Sequence, residues 1–344
     1  MSIRVLIVDD SALMRALLQS RLSSESDIEV VGTASHAQEA RTLMKALDPD
    51  VVTLDIEMPG MDGLTFLGKI MELRPTPVII VSGSTQEGTH TAARALQLGA
   101  VSCYAKTDRH GDLPEQDGGR LAALVREAAA VNLPVRRTKP ASARPATVAS
   151  GTTCDLIAVG SSTGGVEALH SLLAGFTSDC PPTVIVQHVN ACFAPAIARS
   201  LDSTCRARVK MAQSDMILER GTIYFAPGGD RHLMIAKGRS RGNRIVLRQG
   251  DPISGHRPSV DALFTSAASA LGAKATGVLL TGMGQDGAKG LLEMSKAGAF
   301  TIAQDEASCV VFGMPRKAIE LGAASKVLPL HRIAPTLFPI KEAA

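Results

Sequence analysis

The feature that most limits how this chain can fold is a repeated one: a short run of aliphatic, mostly β-branched residues that stops abruptly at a polar residue and is followed by a helical pattern. Ile3-Arg-Val-Leu-Ile-Val8 stops at Asp9-Asp10, and Leu13, Leu17 and Leu18 then recur with helical spacing. A strand is predicted at 28–33, a helix at 37–47, and a strand at 51–54 that ends in Asp55 and turns at Met58-Pro59-Gly60. Val78-Ile-Ile-Val81 ends at Ser82, and 101–105 ends at Lys106. Strand and helix in alternation imply a parallel sheet covered on both faces through right-handed crossovers. Residues just past the strand ends then gather on one crest, which places Asp9, Asp10, Asp55, Ser82 and Lys106 together.

Carboxylates crowded on one crest repel unless a cation lies between them, and hard oxygens suit Mg²⁺ with positions left for phosphate. A lysine and a hydroxyl beside them complete an anion site. The chemistry this suits is phosphoryl transfer to a carboxylate. Each acid alone reads as a loop residue or a helix cap; it is their shared position that argues for a site.

Past a helix through Leu121, Leu124 and Val125, the stretch from Asn132 to Thr153 has no apolar period and is rich in Pro and Ala. It reads as a linker, and the expected division is 1–125, a linker at 126–152, and a second domain over 153–344. The 344 residues exceed what one core usually serves. A net charge of +3 and 3% aromatic residues argue against a nucleic-acid partner. The six cysteines show no C-x-x-C and no zinc spacing, as in a reducing cytoplasm. Neither a signal peptide nor an apolar bilayer span is expected.

The second domain opens on Asp155-Leu-Ile-Ala-Val-Gly-Ser-Ser162-Thr-Gly-Gly165. Gly160, Ser162 and Gly164 fit G-x-S-x-G, in which a sharp strand-to-helix turn exposes a serine hydroxyl. A phosphate-cradling loop is the alternative reading. Thr183-Val-Ile-Val-Gln187 ends at His188, and Gly277-Val-Leu-Leu-Thr281 runs into Gly-Met-Gly-Gln-Asp286. If these strands are parallel neighbours, Ser162, His188 and Asp286 face one crevice as nucleophile, base and orienting carboxylate. The Met283 N–H in segment 282–284 is the expected oxyanion donor, and Thr163 a positioning residue. Rivals are Ser161 for the nucleophile, His170, His232 and His256 for the base, and Asp305 or Asp261 for the acid. Asp286 could instead cap the helix starting at Ala288. Lys237, Arg239, Arg241, Arg244 and Arg248 flank an expected hairpin and form a cationic face.

Two resemblances add to this. Val-Leu-Ile-Val-Asp9-Asp10-Ser-Ala-Leu-Met-Arg and Leu-Asp55-Ile-Glu-Met-Pro-Gly-Met-Asp-Gly resemble the receiver domain of two-component response regulators. That likeness implies a flavodoxin-like fold with a five-stranded parallel sheet, Asp55 as phosphoacceptor from a histidine kinase, and Mg²⁺ held by Asp9, Asp10, Asp55 and the Glu57 carbonyl. Ser82 and Lys106 would sense the phosphoryl group. Two positions depart from the pattern: Cys103 stands where an aromatic is usual, with Tyr104 next, and Thr107 replaces a proline. Val159-Gly-Ser-Ser-Thr-Gly-Gly165, Val-Gln-His188, His256-Arg-Pro-Ser-Val-Asp261 and Leu-Leu-Thr-Gly-Met-Gly-Gln-Asp286-Gly-Ala resemble the chemotaxis protein-glutamate methylesterases. This implies a doubly wound, Rossmann-like esterase domain with a mostly parallel sheet and no cofactor. It implies hydrolysis of γ-glutamyl methyl esters, and deamidation of glutamines, on methyl-accepting chemoreceptors. A cytoplasmic monomer is expected, in which the unphosphorylated receiver covers the active site.

Overall fold

The computed structural model describes residues 2–83, 86–106, 119–131, 154–238 and 242–338. The chain divides into two compact units, Met1–Arg137 and Thr138–Ala344.

In the first unit β1 (Ile3–Val8), α1 (Ala12–Ser23), β2 (Ile28–Ala34), α2 (Ala37–Leu47), β3 (Val51–Asp55), α3 (Gly63–Leu73), β4 (Val78–Ser82), α4 (Gln86–Gln97), β5 (Ser102–Ala105) and α5 (Arg120–Ala129) alternate along the chain. The strands form one parallel sheet in the order β2-β1-β3-β4-β5. β3 and β4 are buried along their whole length, as expected of strands covered on both faces. The order reverses between β1 and β3, so their C-terminal ends flank the crevice where such sheets bind ligands.

One sequence expectation changes here. The last helix does not stop at 125: it runs to Ala129, with Ala128 buried and Arg126 bonded to Asp27 and Glu25 at 2.6–2.7 Å. A linker beginning at 126 is therefore corrected; from 132 to 153 it lies outside the described residues, as does Thr107. Successive residues of a strand face opposite ways, and β5 uses this at Cys103 and Tyr104. The Cys103 thiol lies 3.7 Å from the Ala92 carbonyl of α4. Tyr104 faces away, packed in the core with Leu18, Leu121 and Val125, its hydroxyl accepting from Arg21 at 2.8 Å. The aromatic ring of β5 is therefore on the α1 and α5 side.

The second unit contains β6 (Leu156–Ser161), α6 (Gly165–Leu173), β7 (Thr183–Gln187), α7 (Ala194–Thr204), β8 (Arg208–Met211), β9 (Thr222–Phe225), β10 (Arg231–Ala236), β11 (Arg244–Gln249), α8 (Val260–Leu271), β12 (Ala275–Leu279), α9 (Ala288–Lys296), β13 (Phe300–Gln304), α10 (Met314–Glu320), β14 (Lys326–Leu328) and α11 (Leu330–Leu337). Seven strands pair in the order β14-β13-β12-β6-β7-β9-β8, every pairing parallel. β10 and β11 form a separate antiparallel hairpin carrying Arg244 and Arg248; Arg239 and Arg241 lie outside the described residues. The sheet winds outward from β6 through β7 and later returns to β12 on the other side of β6. The C-terminal ends of β7, β6 and β12 thus line one crevice.

Candidate functional site

The turn after β6 is fixed from both neighbouring strands. Ser161 pairs with Gln187 in the β6–β7 register, and the His188 N–H donates to the Ser161 carbonyl at 3.0 Å. On the other side the Ser162 N–H donates to the Thr281 carbonyl at 3.0 Å. Gln187 works both ways: its Oε1 accepts from the Ser161 hydroxyl at 2.6 Å, and its Nε2 donates to the Ser162 and His188 carbonyls at 2.8 and 3.0 Å. Ser161 is fully buried in that bond and is thereby excluded as an exposed nucleophile. Gly164 supplies a φ of 74° at the start of α6, which lets the chain turn sharply after Ser162. Thr163 is buried, and its carbonyl accepts from the Thr281 hydroxyl at 3.0 Å.

His188 Nε2 lies 2.8 Å from Asp286 Oδ2. That contact fixes the tautomer, with the proton on Nε2 and a lone pair on Nδ1. Nδ1 is buried and has no hydrogen-bond partner among the described residues. One face of the ring is covered: His256 stacks on it with centroids 3.8 Å apart and planes 3° from parallel.

Asp286 is fully buried, and both its oxygens are saturated. Oδ1 accepts from the Ser259 hydroxyl at 2.7 Å and the Asp261 N–H at 3.0 Å; Oδ2 accepts from the Val260 N–H at 2.7 Å as well as from His188. The carboxylate therefore sits on the N-terminus of α8, where free N–H groups and the helix dipole favour negative charge. Burial pushes the carboxyl up, but His188, Ser259 and the Asp261 amide outweigh it and hold it below the usual range. Asp261 goes the other way, raised by its own burial and by the Asp286 charge against the Gly290 N–H.

The competing acids are placed elsewhere. Asp286 does not cap α9, whose N-cap is Gly287 without any side-chain bond. Asp305 caps the short 3₁₀ turn after β13, accepting from the Ser308 N–H at 3.0 Å. Asp261 braces α8 against α9 through Gly290 N–H at 2.7 Å. His170 bonds Thr204 and Ser200 on α7, and His232 bonds the Asp251 carbonyl and the Ser259 N–H. In the glycine segment, Gly282 N–H is committed to the Val311 carbonyl at 3.1 Å. The Met283 N–H makes no hydrogen bond among the described residues, and its side chain is 36% exposed.

In the first unit Lys106 Nζ bridges Asp55 at 2.8 Å and Asp9 at 2.9 Å. Asp9, Asp10 and Asp55 offer oxygens all within 4.8 Å of one another. Three carboxylates facing one ammonium leave net negative charge, and an all-oxygen donor set of this kind fits a hard divalent cation. Burial raises the Asp55 carboxyl against the pull of Lys106; Lys106, lowered by burial, is raised on balance by Asp55 and Asp9. Ser82 is buried at the end of β4, with its carbonyl accepting from the Lys106 N–H at 2.8 Å. Glu57 N–H donates to Asp55 Oδ1 at 3.3 Å, and Gly63 packs so close that a Cβ there would meet the Asp55 carbonyl at 2.3 Å.

Sequence reasoning passed over Gln187 and Ser259 and weighed His256, correctly placed in a loop, only as a rival for the base. The segments Val-Gln-His188 and His256-Arg-Pro-Ser-Val-Asp261 carried the signal, but the partners lie 25 or more residues apart in the chain.

A phosphoacceptor-type crest on one unit and a serine, histidine and aspartate crevice on the other define a class: a response regulator whose second unit is of the hydrolase type. Residues 5–127 match the response regulator receiver domain and residues 157–337 match CheB methylesterase. The protein-glutamate methylesterase/protein-glutamine glutaminase 1 of Caulobacter vibrioides is 50% identical over 348 residues, 99% of this chain and 98% of its own. The protein-glutamate methylesterase/protein-glutamine glutaminase of Rhizobium etli is 48% identical over 341 residues, 99% and 97% of the two chains. The crystal structure of the Thermotoga maritima CheB methylesterase catalytic domain covers 54% of this chain and 98% of its own, with 37% identity and a TM-score of 0.52. The chain belongs to the CheB methylesterase family, with a receiver domain in front of the methylesterase domain.

Proposed function

We propose that this chain hydrolyses glutamate γ-methyl esters on the cytoplasmic helices of methyl-accepting chemoreceptors, and deamidates glutamines there, with turnover raised by phosphorylation at Asp55. The observation that carries the reading is His188, whose backbone pairs with the strand end that carries Ser162, held through Nε2 by Asp286 while Nδ1 has no hydrogen-bond partner among the described residues.

His188 Nδ1 takes the Ser162 proton as Oγ attacks the γ-carbonyl carbon. The oxygen becomes an oxyanion opposite the Met283 N–H, a donor whose loss costs about 3 kcal/mol in comparable sites. Collapse of the tetrahedral species breaks the C–O bond, and the proton on Nδ1 leaves with methanol. Water then repeats the sequence on the acyl-serine and frees the carboxylate. A glutamine side chain follows the same path and releases ammonia. Asp286 stabilises the imidazolium at both steps, and Thr163 helps shape the turn that receives substrate.

At the receiver, the Asp55 carboxylate takes the phosphoryl group from a chemotaxis-type histidine kinase. Asp9, Asp10 and Asp55 with the Glu57 carbonyl are the residues to hold Mg²⁺, which when bound supplies charge neutralisation for phosphoryl oxygens. Lys106 and the Ser82 hydroxyl serve those same oxygens once the phosphoryl group is in place. The chain works in the cytoplasm as a monomer, without nucleic acid or membrane insertion; no helix among the described residues is long and apolar enough to cross a membrane.

The test is methanol release from a methylated receptor cytoplasmic fragment, with and without a small phosphodonor and Mg²⁺. Release by the wild type that rises with phosphodonor, and falls on the order of 10⁶-fold in Ser162→Ala, is the expected result. A folded wild type that binds the fragment but releases nothing would make the second unit a binding module instead.

A further inference from the structure

The mechanism above uses both ring nitrogens of His188 and leaves His256 without a role. His256 is held with unusual care for a loop residue. The Ile253 N–H donates to the His256 carbonyl at 3.1 Å and the His256 N–H to the Ile253 carbonyl at 3.0 Å, closing a two-residue hairpin turn. Both residues inside it are left-handed, Ser254 at φ 52° and Gly255 at φ 81°. This is the primed geometry that makes the tightest hairpins, and a serine adopts it only where the surroundings enforce it. The enforcing contact is visible: the Ser254 hydroxyl donates to Asp261 Oδ2 at 3.0 Å, and Asp261 in turn holds Gly290 of α9. The Ser254 carbonyl, 2.9 Å from His256 Nδ1, accepts a hydrogen bond from that nitrogen and so sets the tilt of the His256 ring.

His188 needs such support. Its bond to Asp286 fixes where Nε2 points but leaves the ring free to rock about that direction, and rocking swings Nδ1 off the nucleophile. A flat face at 3.8 Å and 3° blocks the motion. The donor atoms of His188, His256 and Asp286 lie within 4.8 Å of one another, which also raises a metal site. The stack argues against that, because an imidazole lone pair lies in its ring plane and two parallel planes cannot both aim at one ion.

We infer that His256, presented by the rigid 253–256 turn, is a positioning residue that clamps the plane of His188 and so aims Nδ1 at Ser162. The inference rests on the esterase reading of Ser162 and His188.

The experiment is steady-state methanol release by the full chain, with kcat and KM separated and folding checked by thermal melting. A small misplacement of a catalytic group costs up to about 100-fold, so His256→Ala should lower kcat by roughly 10- to 100-fold with KM nearly unchanged. His256→Phe, which keeps a flat ring but no nitrogen, should recover most of that loss. Gly255→Ala adds a Cβ with no heavy atom within 4 Å, so it acts only through the left-handed backbone; it should lower kcat in the same direction. The clamp is overturned if His256→Ala keeps the wild-type kcat, if KM rises while kcat stays, or if His256→Phe is as slow as His256→Ala. Absence of Ser162-dependent release in the wild type overturns the esterase reading itself, and the clamp with it.

Discussion

Asp286 and Asp305 stand past the ends of adjoining parallel strands, and what separates them is the set of donors each one meets. Asp286 receives Ser259, Val260, Asp261 and His188; Asp305 receives Ser308. Asp286→Asn is expected to lower kcat by about 10⁴-fold through the wrong histidine tautomer. Asp305→Asn should leave kcat alone and change stability little, because asparagine caps about as well as aspartate, read from paired kinetics and melting. The depressed Asp286 carboxyl also has a pH signature. A folded pKa below the unfolded value contributes stability that is present above the unfolded value, about 3.9, and is lost as pH falls through the folded one. The melting-temperature gap between wild type and Asp286→Asn should therefore be widest near neutrality and narrow below about pH 4. From the sequence both aspartates were eligible, because each follows an apolar run; the donors that choose between them come from α8, some 25 residues earlier in the chain.

At the level of elements, α8 is the part that makes the site rigid. Its N-terminus is seated against the sheet by glycines: a Cβ on Gly160 would lie 2.1 Å from Val260 Cγ1, one on Gly287 2.5 Å from the same atom, and one on Gly290 3.0 Å from Asp261 Cα. Gly160, inside β6, is thus required for the helix that lies across the strand, while Gly164 makes the turn. Gly160→Ala should cost about 1–3 kcal/mol by overpacking and slow turnover by lifting the donors off Asp286. The double variant Gly160→Ala/Val260→Ala should restore much of both, a coupling that melting and kinetics would each register. Failure of the double variant to recover kcat would mean that α8 does not transmit the strain. The strands and helices themselves were legible, since burial on both faces writes continuous apolar runs. The closeness of α8 to β6 was not, because a glycine in a turn motif gives no sign of what approaches it. For the same reason of hidden contacts the C-terminal turn of α5 was missed: Arg126 and Ala128 read as the start of the linker until Asp27, Glu25 and the core supply their partners.

At the scale of the whole chain, each unit has its own buried core, one built around Val5, Ile79 and Leu121 and the other around Val184, Phe264 and Leu279. Separate cores allow separate melting. Mg²⁺ with beryllofluoride, a phosphoryl mimic, should raise the transition of the first unit by about 2.7 kcal/mol at a ligand concentration 100 times its Kd; calorimetry of wild type against Asp55→Ala checks it. If both transitions rise together, the units melt as one. The two-part organisation was legible from length and from the Pro- and Ala-rich stretch, whose boundary shifted only because α5 is longer than its apolar period suggests.

The chain has two tyrosines and no tryptophan, and the tyrosines are divided evenly: Tyr104 lies in the first core and Tyr224 in the second. Each is 2% exposed, and each phenol is hydrogen-bonded, to Arg21 in one case and to Ile217 and Glu219 in the other. The intrinsic ultraviolet emission of the intact protein is therefore a sum of two single-site signals, one for each half. Replacing either ring with phenylalanine silences one half, so the refolding of the other can be followed without any added dye.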